Sequence, residues 1–306
     1  MQRIATKRAL LFVTVICFWF AQYVYVPYQT PYLFSLGALS SFVGVILGAY
    51  GFTQMLLRIP AGLMADAHGR HKRYIIIGLL CSAIASVFRV AFTDPVAFLI
   101  ANLFSGVASV AWISFTVYFT SLYDEDEIKK SMGYLVACNN GGIMLGFIAG
   151  ALLNDYLGIK YVFVASIAAG AAGTILALFI RADKPQKRSF KDIHPASVFK
   201  SKPVIFYSIL GIIMQAVVLS TALSFTTSYA KLITSEELVL GIGSLIFIAT
   251  SAAVSLFIGN LKKWNGALVL AVLFVCLAVY CVFVPLSTAV WELYILQAIA
   301  GIGNGG

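Results

Sequence analysis

The run Gly62-Leu-Met-Ala-Asp66-Ala-His-Gly69-Arg70-His-Lys72-Arg73 sets one acid between two glycines and follows it at once with bases. The chemistry open to such a set is ion pairing rather than bond making. Positive charge alone would hold a membrane loop in the cytoplasm. Asp66 adds a group that can pair, and Gly62 and Gly69 permit a tight turn. Ionisable groups are otherwise scarce inside the apolar runs. Arg89 lies one turn from the end of such a run and is expected to snorkel outward along its aliphatic stem. Arg58 sits near the inner end of its run, Asp94 and Asp155 fall in outer loops, and Glu292 lies near an outer end. His68, His71 and His194 have no array of acids beside them. A membrane-embedded enzyme would need clustered His, Asp or Glu, or a nucleophile paired with His. The chain is therefore read as a non-enzyme that needs no cofactor or metal.

The elements that must position these residues are set by composition. Of 306 residues, 61% are hydrophobic and 11% charged, whereas a soluble domain carries about 25% charged residues. The mean hydropathy is +0.94. A bilayer crossing needs about 20 apolar residues. That ruler places spans near 9–27, 41–63, 74–93, 96–122, 132–154, 158–180, 204–230, 238–260, 266–285 and 289–306. Hydrocarbon offers backbone groups no partners, and nothing alternates as barrel strands would, so the spans must be helices. The first run follows Arg3, Lys7 and Arg8 but is longer than a signal core and lacks a small-residue cleavage site, so it is read as retained. The five cysteines, Cys17, Cys81, Cys138, Cys276 and Cys281, lie in apolar runs without metal-ligand spacing and read as packing residues. The net charge of +9 does not point to nucleic acid, because the bases gather in alternate loops. They precede span one and follow spans two, four, six and eight, which puts the N-terminus in the cytoplasm. The polar, basic stretch 181–203 divides the chain into residues 1–180, with six spans, and 204–306, with the rest.

The Gly62–Arg73 run resembles the loop between helices 2 and 3 of the major facilitator superfamily of secondary transporters. Gly62, Asp66, Gly69 and Arg70 stand in register with the family motif, Lys72 and Arg73 supply the trailing bases, and Ala67 replaces a usual base. The resemblance implies an all-α polytopic membrane protein. Its N-terminal half has six complete helices, and its C-terminal half is incomplete, with about four. A faint copy of the loop recurs as Gly259-Asn-Leu-Lys-Lys263-Trp-Asn-Gly266. The last run reaches Gly306 without a polar flank, whereas the family continues through this helix and two more; a C-terminally truncated member is the expectation.

By the same resemblance, Asp66 and Arg70 form a two-state latch at a cytoplasmic gate, and helices 1, 4, 7 and 10 line the path of a small solute. Trp19, Gln22 and Tyr23 share one face of span one at i, i+3 and i+4. Asn102 and Trp112 lie in span four, Asn139 and Asn140 in span five, and Gln215 in span seven with Ser208 seven residues before it. These are the candidate solute contacts. Hydrogen bonding between helices, worth under ~1 kcal/mol per contact, is the competing reading for each. Gly142, Gly146 and Gly150 match the family's antiporter motif, but Phe147 replaces its proline and Ala151 its last glycine, which leaves a helix-packing face. Gly44 and Gly48 read likewise. Many antiporters carry an arginine four residues before a glycine in span four; here Asn102 precedes Gly106. The expected activity is alternating-access transport of a small organic solute across the cell membrane, with lipid and solute as the partners and no nucleic acid. A transport-incompetent fragment is the alternative, with drug–proton antiport and enzymatic roles behind it.

Overall fold

The computed structural model describes residues 2–124, 127–180, 202–260 and 265–305. Among these residues the regular structure is helical throughout: α1 (Gln2–Tyr23), α2 (Val26–Ser35), α3 (Ser40–His68), α4 (His71–Ala91), α5 (Pro95–Ser109), α6 (Ala111–Thr120), α7 (Ile128–Leu157), α8 (Ile159–Phe179), α9 (Lys202–Val217), α10 (Thr226–Ile233), α11 (Glu237–Asn260), α12 (Gly266–Phe283) and α13 (Val290–Asn304). Nine helical stretches among the described residues are long and apolar enough to cross a bilayer. They coincide with the first nine expected spans. The tenth falls on α13, a helix of 15 residues. The basic linker lies outside the described residues over 181–201, as do residues 261–264 of the faint loop copy.

Three spans are not continuous α-helices. Span one breaks between α1 and α2 at Val24 and Tyr25. Pro27 follows, and a proline has no N–H to offer the carbonyl of Tyr23 four residues back. Span four is interrupted at Val110, between α5 and α6. Span seven passes from α9 to α10 through a π-helical segment, Val218–Phe225. Such segments widen the hydrogen-bond ladder and are frequent at functional sites.

Helix ends are set locally. Asp94 accepts the N–H of Val96 at 2.7 Å with Pro95 opening α5, which satisfies one of the free amides of the first turn. Asn265 caps α12 in the same way, accepting from Ala267 at 3.0 Å. Glu292 accepts the N–H groups of Thr288 at 2.6 Å and Ala289 at 3.1 Å. The carboxylate in the first turn of α13 is therefore a helix cap.

By packing, the chain forms two compact units. One comprises Met1–Tyr25, Leu33–Gly146 and Ile159–Ile193; the other comprises Val26–Tyr32, Phe147–Gly158 and His194–Gly306. The first unit packs α4 against α5 and α8, α3 against α5, and α1 against α8. In the second, α13 lies against α11 and α12. Many large apolar side chains point outward, among them Phe52, Met55, Ile175, Phe179 and Ile212. Lipid, not water, is the solvent such a surface fits.

Candidate functional site

The loop between α3 and α4 closes on Gly69. Its φ of +59° is left-handed, and its N–H and that of Arg70 bond back to the carbonyls of Asp66 and Ala65. A side chain at this position would be strained. The half-buried Asp66 stands 3.5 Å from Nε2 of His71. Arg70 and Arg73 are exposed. Lys72 instead donates to the carbonyl of Leu178 at 2.8 Å. A cation there meets the free carbonyls and negative dipole end of α8. The loop thus divides its labour: Asp66 pairs locally, Lys72 fastens the loop to its own unit, and Arg70 projects. Gly62 sits below Ile113, to which an added Cβ would come within 3.3 Å.

A second cation tie lies at the same end of this unit. Arg8 donates from Nη2 to the carbonyl of Leu122 at 2.6 Å, covers the ring of Tyr123 at 3.7 Å and stands 3.9 Å from Glu127. It joins the start of α1 to the chain just beyond α6. Sequence reasoning used Arg8 only as a topology marker.

Higher in the same unit, aromatic rings gather on α1. Trp19 contacts Phe18, Tyr23 and Trp112 at ring separations of 5.4, 5.5 and 5.3 Å. The indole N–H of Trp19 is buried and has no partner, and so is Oδ1 of Asn139 on α7. One turn beyond Asn139, Gly142 brings α7 onto α1: a Cβ there would lie 2.7 Å from the carbonyl of Ile16 and 3.0 Å from Cβ of Trp19. Gly146 approaches Val24 N at 3.2 Å by the same measure. A donor and an acceptor, both unmet, thus stand on two helices in backbone contact. Asn140 is half-buried. Gly150 is buried on α7. Gly44 and Gly48 have open space where a Cβ would be, so the packing role expected of them is not seen.

Two other expected solute contacts are committed elsewhere. Gln22 donates to the carbonyl of Ser105 at 3.0 Å and is 3% exposed. Asn102 donates to the carbonyl of Ile46 at 2.8 Å and accepts from Arg89 at 2.7 Å. Both ends of Asn102 are engaged inside the bundle. The expectation for Arg89 is overturned. It does not snorkel but is 2% exposed, with its guanidinium turned inward to Ser86, Asn102 and Ser105 and laid 3.9 Å over the ring of Tyr25. Among the described residues no carboxylate pairs with it. Depth along a helix had suggested an outer position, but the face decides: Ser82, Ser86 and Arg89, at i−7, i−3 and i, form one polar stripe directed into the bundle.

In the second unit, Gln215 and Ser208 on α9 are exposed. Sequence reasoning missed a small, mainly apolar cleft in this unit. Thr226, Thr227, Gly243, Tyr294 and Gln297 border it together with apolar side chains. Gln297 donates to the carbonyl of Ala222 at 3.0 Å, while its buried Oε1 has no partner.

The family described as Major Facilitator Superfamily matches residues 11–306. Quinolone resistance protein NorA of Staphylococcus aureus is 24% identical over 215 residues, covering 69% of this chain and 54% of that protein. Inner membrane transport protein YajR of Escherichia coli is 25% identical over 160 residues, covering 52% of this chain and 35% of the other. Among solved structures, nucleoside transporter NupG superposes with a TM-score of 0.77 at 15% identity, covering 100% of this chain and 80% of its own. A bacterial homologue of the lysosomal transporter Spinster gives 0.74 at 15%, covering 99% and 73%. The matched stretches span 54% or less of the length of these curated relatives. With the family matched across nearly its whole length and the fold shared with transporters, this chain belongs to the major facilitator superfamily, a multi-span membrane transporter family rather than a family of enzymes.

Proposed function

We propose that this protein carries a small, uncharged or amphipathic organic solute across the cell membrane by alternating access, with its N-terminus in the cytoplasm. The observation that carries this reading is the Trp19 patch. Three aromatic rings from α1 and α6 meet there, beside an unpaired buried indole N–H and an unpaired amide oxygen on the adjoining α7. An unmet buried donor or acceptor costs about 1–3 kcal/mol. A solute with a flat ring and hydrogen-bonding edges would relieve both costs while stacking on the rings. One relative is named for quinolone resistance. The loop holding Asp66 is the cytoplasmic latch in this reading, and Arg70, projecting from the same loop, is free to pair on one side of the cycle only.

The test is a solute panel offered to the full-length protein in proteoliposomes, with uptake as the readout. Flat, neutral or weakly polar ring compounds are expected to enter, and Trp19→Leu or Asn139→Leu to abolish their uptake. Uptake of small dianions alone, or uptake indifferent to both substitutions, would overturn the reading.

A further inference from the structure

In each half of the chain the first span is interrupted, and the third span of that half sends a buried polar side chain to the interruption. In span one, α1 stops at Tyr23 and α2 restarts at Val26. Arg89, on α4, lays its guanidinium 3.9 Å over the ring of Tyr25 inside that break. The same guanidinium donates to Asn102 at 2.7 Å and Ser105 at 3.0 Å on α5. Ser105 in turn meets the Tyr25 hydroxyl at 3.3 Å and accepts from Gln22 through its carbonyl at 3.0 Å. In span seven the interruption is the π-helical segment. Thr226, at its end, bonds to the hydroxyl of Tyr280 on α12, and Gln297 on α13 takes up the carbonyl of Ala222. The two halves thus repeat one arrangement with different residues: a broken first helix, held from the third and fourth.

We infer that Arg89 is the positioning residue of a hinge in span one. It clamps Tyr25 to α4 and α5, so that α1 stays fixed while residues 26–32 move about Val24 and Tyr25. Three observations carry this. The chain leaves the first compact unit between Tyr25 and Val26, at the residue the guanidinium covers, and returns to it at Leu33, inside α2. Pro27 removes the hydrogen bond that would have bridged the break. And the clamp is a charge. A guanidinium buried among neutral acceptors, with Nε unpartnered and no carboxylate beside it among the described residues, is costly to maintain. Ordinary packing would be served by an apolar side chain. What arginine adds is a planar cation that stacks on a ring and forks to two helices at once, which lysine does not reproduce. The inference holds for any solute, so its failure would leave the transport reading standing.

The test is hydrogen exchange of the full-length protein in lipid nanodiscs, followed in peptides from residues 26–32 and from α8. Arg89→Gln is expected to speed exchange in 26–32 by about tenfold, the size of a desolvated cation–π contact, with α8 unchanged. Moving the guanidinium across its own hydrogen bond, in the double variant Arg89→Asn with Asn102→Arg, is expected to restore the slow rate. Arg89→Lys is expected to leave it fast. If Arg89→Gln does not fold, Tyr25→Leu removes the other face of the stack and is expected to act on the same peptide. Exchange that rises equally in α8, or does not change in 26–32, overturns the hinge and leaves Arg89 as bundle packing.

Discussion

At the scale of single residues, the unmet polar atoms are more telling than the filled ones. Trp19 Nε1 and Asn139 Oδ1 are buried without partners, while the amides of Gln22 and Asn102 are bonded into the bundle. Trp19→Phe keeps a ring and removes only the donor. It is expected to weaken solute binding roughly fivefold, the worth of one net hydrogen bond, while leaving the folded protein intact. Quenching of the remaining tryptophan fluorescence by a transported solute measures this. Asn102→Ala is expected to lower thermal stability first, because it leaves the Arg89 guanidinium short of an acceptor and the Ile46 carbonyl without its donor. A melting curve in detergent reads it. Neither distinction was legible in the sequence. Residue type marks Asn102 and Asn139 alike; only the helix face separates a satisfied amide from a waiting one. For Arg89, the serines three and seven residues before it carried the missing information, since an outward-facing arginine needs no polar stripe.

At the scale of elements, the apolar runs gave the spans almost without loss, because the bilayer leaves helix as the sole answer for a run of that length. Their interruptions were harder to see. The break at Val24 and Tyr25 had a signal in Pro27, two residues on, but the π-helical segment of span seven has no Gly or Pro to announce it. Glycine roles also divided by face. Gly142 is pressed against α1, so Gly142→Val would drive a side chain into the Ile16 carbonyl. That overpacking is expected to cost about 1–3 kcal/mol and to lower the melting temperature, whereas Gly48→Val, facing open space, is expected to be silent. Gly69 is needed for its dihedral angle rather than for space. Gly69→Ala is expected to destabilise the loop between α3 and α4 by about 1–2 kcal/mol, seen as faster proteolysis there.

At the scale of the whole molecule, family membership rests on agreement between a loop motif, a hydropathy pattern and a fold. The sequence carried the first two, since charge placement and apolar length are physical requirements of a membrane chain. Which solute is carried depends on a few side chains whose directions the sequence does not encode. The central claim is alternation: the Trp19 patch must face each side of the membrane in turn. Its most direct measurement is labelling of one cysteine, placed by Tyr23→Cys in a background with the five native cysteines replaced, using an impermeant maleimide. Applied to sealed vesicles of each orientation, the reagent is predicted to reach that cysteine from both sides. Asp66→Asn, by weakening the latch, is predicted to shift the balance toward the cytoplasmic face. Labelling from one face alone, in the parent and the Asp66→Asn variant alike, would contradict alternating access through this site.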